Sequence, residues 1–160
     1  WIKFRDLLEQ TMSRKIIGFD IFGDFPEASF EEDKLKREAF VKETNGGKSI
    51  SFEELNSLLE KQNLAKNVDI VKGDILKTLD VYLDSHPHLK ISLLHIDVDL
   101  YEPTKHILEK LYHRVSKGGI IIFDDYGAFS GTNKAVDDFF QDTKEIHKLP
   151  YSNAIAYIVK

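Results

Sequence analysis

Short apolar runs alternate along this chain with stretches in which apolar residues recur every three or four positions. The runs read as strands and the periodic stretches as helices. "RKIIGFDIF" predicts a strand over 15–19 that ends at Asp20, and "NVDIVKGD" one that ends at Gly73 and Asp74. "KISLLHIDVDL" runs into Asp97 and Asp99, "GGIIIFDDYG" into Asp124 and Asp125, and "AIAYIVK" is a last strand. Between them lie helices. The opening "WIKFRDLLEQ" puts Phe4, Leu7, Leu8 and Met12 on one face. Ser51 and Glu54 form a Ser-x-x-Glu capping box ahead of Leu55, Leu58 and Leu59. "ILKTLDVYLDS" and "NKAVDDFFQDT" have helical patterns. In "PTKHILEKLYHRV", Pro103 suits the first helical position and Ile107, Leu108, Leu111, Tyr112 and Val115 form the stripe. Gly118-Gly119 is the expected stop. Residues 22–50 have no clear period, although "EEDKLKREAFVKE" fits a polar helix and "TNGG" a turn. A long segment of this kind is expected to be a lid.

Strands that are continuous apolar runs, each followed by a helix, predict an α/β fold: a doubly wound, mostly parallel sheet with helices on both faces. Such sheets bind ligands outside the carboxyl ends of their strands. Asp20, Asp74, Asp97 and Asp124 each stand at such an end, so all four are expected along one rim.

Composition narrows the function. With 160 residues the chain makes one domain. A net charge of -5 and no basic cluster argue against a nucleic-acid partner. No apolar run is long enough to span a bilayer, so no membrane partner is expected. The chain has no cysteine, which excludes thiolate metal sites and fits a reducing, cytoplasmic setting.

The rim acids carry the chemistry. If the strands ending at Asp97 and Asp124 are neighbours, Asp97, Asp124 and Asp125 converge, and like charges at that spacing raise one another's pKa. A divalent cation relieves the crowding, and an all-oxygen donor set favours Mg²⁺. The competing reading is that these acids cap helices or face solvent. Asp99 and Glu102 read as loop and helix-start residues, and His95 as a core histidine satisfied by a hydrogen bond. Asp20 could accept both hydroxyls of a ribose. Gly73 lets a flat ring approach the backbone, while Asp74 could accept from an adenine amine or cap the next helix.

"HIDVDLYEPT", "KGGIIIFDDYG" and "TNKAVDDFF", in this order and spacing, resemble the macrocin O-methyltransferase family, sugar O-methyltransferases of the dTDP-6-deoxy-L-hexose 3-O type. "IIGFDIFGDFPE" and "VKGDILKTL" are similar to that family's second and third strand segments. The resemblance covers nearly the whole chain. It implies a class I methyltransferase with S-adenosylmethionine and Mg²⁺ as cofactors and a sugar-containing small molecule as acceptor. By position, the implied metal ligands are Asp97, Asp124 and Asp125, the ribose acid is Asp20, and Gly73-Asp74 lies beside the adenine. Asp97 is the candidate base for the acceptor hydroxyl. Self-association is also implied, although no exposed apolar stripe demands it.

One departure stands out. Class I methyltransferases carry a glycine-rich turn after their first strand, and none of the nine glycines here forms one near the start. The family's first strand would lie before Trp1, so residues 1–160 alone are expected to bind S-adenosylmethionine poorly. Two other readings compete. "DVD" fits the Asp-x-Asp pattern of metal-dependent nucleotide-sugar glycosyltransferases but leaves Asp124-Asp125 unexplained. A non-catalytic methyltransferase-like remnant would keep the fold, yet has no physical reason to keep a costly acid cluster.

Overall fold

A computed structural model describes residues 1–9, 11, 13–44, 50–141 and 145–160. Met12, the "NGG" of the expected turn, and Asp142 and Thr143 at the end of the last expected helix lie outside the described residues. The elements run α1 (Ile2–Leu8), β1 (Ile16–Asp20), α2 (Glu31–Glu43), α3 (Phe52–Lys61), β2 (Val68–Lys72), α4 (Ile75–Ser85), β3 (Ile91–Ile96), α5 (Tyr101–Leu111), β4 (Val115–Phe123), α6 (Ser130–Phe140), β5 (His147–Lys148) and β6 (Ala156–Val159).

The strands form two hydrogen-bonded groups. β1 and β2 pair in parallel, and β3, β4, β6 and β5 make a second sheet in that order. β3 and β4 are parallel, with Ile96 opposite Phe123, whereas β6 runs antiparallel to both β4 and β5. Among the described residues β1 and β3 are edge strands of their respective sheets. Helices α4, α5 and α6 cover one face of the larger sheet. Leu79, Leu83, Ile107, Leu108, Leu111, Val136 and Phe140 pack there on Leu94, Ile96, Ile121, Phe123 and Ile158. On the opposite face Leu93, Ile120 and Val159 stay exposed.

Local caps start the middle helices. Ser51 and Glu54 complete the expected capping box of α3, and the Asp74 carboxylate accepts from Leu76 N–H at the start of α4. The next two helices start elsewhere than their local sequence indicates. α5 begins at Tyr101, so Pro103 is its third residue rather than its first. α6 begins at Ser130, three residues before Asn133. Neither has a side-chain cap from its own flanks. Both are capped from a distance, because Asp33 of α2 accepts from the N–H groups of Tyr101 (2.9 Å) and Gly131 (2.8 Å).

Gly118-Gly119 is not the stop of α5. A 3-10 turn over Tyr112–Arg114 follows that helix, and Val115, expected in the helical stripe, opens β4. The glycines lie inside the strand at an irregularity, where the pairing jumps from Ile91–Val115 to Leu93–Ile120. Gly118 has φ +78°, and a Cβ at Gly119 would sit 2.8 Å from Val115 Cγ1. The pair therefore makes a bulge, a use that apolar periodicity does not distinguish from a helix stop.

Candidate active site at the sheet rim

The carboxyl ends of β1, β2 and β3 open onto a cavity of about 440 Å³. Asp20, Gly73, Asp74 and Ile75 line one part of it, Asp97, Val98 and Asp99 its middle, and Phe25, Pro26, Glu27, Ser29 and Glu102 the rest. The parallel strands place Asp20 and Asp97 at the rim, because each stands at the carboxyl end of its strand.

At the β1 end, Asp20 Oδ1 accepts from Phe22 N–H at 2.6 Å, and Phe22 turns with φ +48°. Gly73 N–H donates to the Asp20 carbonyl at 2.9 Å, which fixes the two strand ends together. Gly73 has φ +132°, a region that side chains avoid, and an added Cβ would lie 3.0 Å from Thr78 Cγ2. The backbone at this edge of the cavity is thus bare. Asp74 caps α4 through one oxygen and has Lys77 Nζ 3.5 Å from the other.

At the ends of β3 and β4, one carboxylate oxygen from each of Asp97, Asp99 and Asp125 lies within 4.8 Å of the others. Asp124, grouped with Asp97 and Asp125 from the sequence, turns the other way: its Oδ1 is 3.2 Å from His95 Nε2. Trp1 Nε1 donates to the other nitrogen of that ring, Nδ1, at 3.1 Å. His95 is therefore hydrogen-bonded on both sides, but it is exposed rather than in the core.

Asp99 is the residue the strand pattern underrates. It takes a left-handed conformation, φ +60°, which aspartate tolerates better than most residues. That twist carries its carboxyl back to Asp125, with which it shares a hydrogen bond. The Asp-x-Asp spacing was the available signal.

Burial raises all three acids. Asp97 is raised by the surrounding protein first, then by Asp124 and Asp20, with His95 opposing. Asp99 is raised by burial first, and its hydrogen bond to Asp125 opposes. Asp125 is pushed up to about 8 by burial and by Asp99. Three oxygen donors at this spacing, each costly to ionise, suit a hard divalent cation.

The geometry has close counterparts. The chain superposes on the O-methyltransferase NovP over 99% of its own length and 66% of that chain, with a TM-score of 0.81 and 25% identity. The calicheamicin methyltransferase CalS11 is similar over the same shares, with a TM-score of 0.69 and 26% identity. A relative from Streptomyces olivaceus, the 8-demethyl-8-(2,3-dimethoxy-alpha-L-rhamnosyl)-tetracenomycin-C 4'-O-methyltransferase, is 30% identical over 128 residues. That match takes in 79% of this chain and 47% of the relative, so the chain spans about half that relative's length. A family model described as Macrocin-O-methyltransferase (TylF) matches residues 4–152. The chain belongs to the macrocin-O-methyltransferase family.

Proposed function

We propose that the protein is an S-adenosylmethionine-dependent, Mg²⁺-assisted O-methyltransferase whose acceptor is a hydroxyl of a deoxyhexose, nucleotide-linked or attached to a natural product. The observation that carries this reading is a cavity lined by the bare strand-end backbone at Gly73 and by Asp97 and Asp99, which group with Asp125 beside it. The printed names of the relatives support the acceptor class: one acts on a rhamnosyl group, and CalS11 is also described as a TDP-rhamnose 3'-O-methyltransferase. Family membership removes the support for a glycosyltransferase, since the Asp-x-Asp run lies within the matched segment.

In this reading Asp20 and Gly73 hold the nucleoside part of the cofactor, with Asp74 beside it and already engaged in capping α4. Asp97 and Asp125 belong to the cation site in every version. Asp99 completes it in the arrangement described here, and Asp124 does so by the family resemblance if it leaves His95. When bound, the cofactor supplies an electrophilic methyl group, and the cation lowers the pKa of an acceptor hydroxyl. The chain's own residues orient the acceptor and accept its proton. Asp97 is the candidate base, because it lines the cavity at the end of β3 beside the proposed acceptor position. Phe25, Pro26 and Leu100 narrow the cavity and limit water. Glu27, Ser29 and Glu102 offer the polar contacts that a sugar's hydroxyls need.

The reading also includes one domain, with part of 22–50 serving as a lid. In this reading a further parallel strand, followed by a glycine-rich turn, joins β1 and β3, the edge strands of the two sheets. Such a strand would pair both edges and supply the backbone N–H groups that the cofactor's methionine part requires. Self-association belongs to the same reading. No helix among the described residues is long and apolar enough to cross a membrane.

The test is transfer of labelled methyl from S-adenosylmethionine to dTDP-linked deoxyhexoses by the full-length protein, with and without EDTA. EDTA-sensitive labelling of the sugar is expected. A folded protein that labels no deoxyhexose overturns the proposed activity, and EDTA-insensitive labelling overturns the role of the cation.

A further inference from the structure

Asp33 lies outside the cavity and takes no part in the chemistry just described, yet it is fully buried, at 0% exposure. It belongs to α2, a mostly polar helix whose Leu35 is left exposed and whose main apolar contact is Phe40 against Phe25 near its far end. Such a helix has little apolar surface to hold it in place. Asp33 inserts its side chain between the amino ends of α5 and α6 instead. Oδ2 accepts from Tyr101 N–H and Oδ1 from Gly131 N–H. These partners are 68 and 98 residues away, and both are among the N–H groups that a helix leaves without an internal partner. Each donor meets a different oxygen, and an amide in the same place would present one of them with an NH₂ group instead of an acceptor. The positive ends of two helices favour the charge. Burial pushes the Asp33 carboxyl up, while the two N–H groups pull it down.

The fit is tight on the receiving side. A Cβ at Gly131 would collide with both Asp33 oxygens. Around this contact Phe30 stacks on Tyr101 with ring centroids 5.1 Å apart, Ser29 hydroxyl meets Glu102, and Lys36 meets the Ala128 carbonyl. The contact joins three walls of the site. α2 follows the 21–29 segment that lines the cavity, α5 follows the loop with Asp97 and Asp99, and α6 follows the loop with Asp124 and Asp125.

We infer that Asp33 is a positioning residue: one carboxylate caps α5 and α6 together, and so holds the 21–29 wall in register with the two acid-bearing loops. Its kinetic consequence rests on the proposed methyltransferase reading, whereas its structural consequence does not. The wall it holds carries Glu27 and Ser29, so the clamp acts on acceptor binding rather than on the nucleoside end at Asp20 and Gly73.

Hydrogen exchange on full-length Asp33→Asn tests the clamp. Protection should fall about tenfold or more at the Tyr101 and Gly131 amides and over residues 31–43, because one donor loses a charged partner. The Leu94 and Ile121 amides in the core strands should stay as protected as in the parent. Gly131→Ala should give the same pattern from the other side, and it covers the case in which Asp33→Asn does not fold. In the enzyme assay, Asp33→Asn should raise the acceptor KM about tenfold and leave the S-adenosylhomocysteine Kd within about twofold. Unchanged exchange at Tyr101 and Gly131 in the variants overturns the clamp, as does an equal loss of protection in β3 and β4. Loosened exchange with an unchanged acceptor KM overturns the positioning role. Should the parent protein transfer no methyl group, the proposed function fails, and the exchange pattern still decides the clamp.

Discussion

Asp33 and Asp125 are both withdrawn from solvent, and burial raises the carboxyl of each, but their surroundings differ in kind. Asp33 has a backbone N–H on each oxygen and two helix amino ends facing it. Asp125 has Asp99 as its hydrogen-bond partner, with Asp97 and Asp124 close behind. The first group is satisfied by backbone donors, while the second, among the described residues, faces further acids, which is the arrangement the proposed cation would relieve. A raised carboxyl is therefore not a mark of function in itself. The mark is a raised carboxyl whose neighbours make matters worse.

The largest effect expected from this contrast is on catalysis. Asp97→Asn should lower methyl transfer by about 10²-fold or more, measured as kcat/KM, while the fold is retained in far-UV circular dichroism. Stability should separate the two regions next. Asp33→Asn should cost about 1–3 kcal/mol in urea unfolding, the loss from leaving a buried N–H unpaired. Asp125→Asn in metal-free protein should be neutral or stabilising, since the amide, like the protonated acid, is uncharged and can donate to Asp99. Destabilisation by both variants alike would erase the distinction.

The sheet rim was open to sequence reasoning because the relevant residues are adjacent in the chain. Asp20, Asp97 and Asp124 each end an apolar run, and the polar helix over 31–43 and the Ser51–Glu54 box have local signatures. The starts of α5 and α6 were not open to it, because their cap comes from Asp33, 68 and 98 residues away. Apolar periodicity likewise cannot tell a glycine pair in a bulge from one that ends a helix, so Gly118-Gly119 was misplaced. Asp99 joins the acid group only through its left-handed backbone, and Asp124 leaves it only because His95 is in reach. The Asp-x-Asp spacing hinted at the first, and the second has no local signature.

A smaller effect concerns pH. The folded value of Asp125 is about 8 against 3.8 for an unperturbed aspartate. Between these values the folded state keeps a proton that the unfolded state has lost. The metal-free protein should therefore lose stability as pH rises from about 4 towards about 8. Added Mg²⁺ competes with that proton, so its Tm gain should be larger at the upper end of the window than at the lower. Asp125→Asn should flatten the trend, and a Tm gain independent of pH would count against the shared proton. Smallest of all, Ser51→Ala should cost about 1 kcal/mol through the lost α3 cap, with the acceptor KM unchanged. That variant is the control for Asp33, because Ser51 caps α3 alone and does not line the cavity.

The most direct measurement is a calorimetric titration of Mg²⁺ into the protein and into Asp97→Asn. The account predicts one saturable site in the parent, absent or at least about tenfold weaker in the variant. Equal binding by both proteins, or no binding by the folded parent, would contradict the claim that these carboxylates exist to hold a cation.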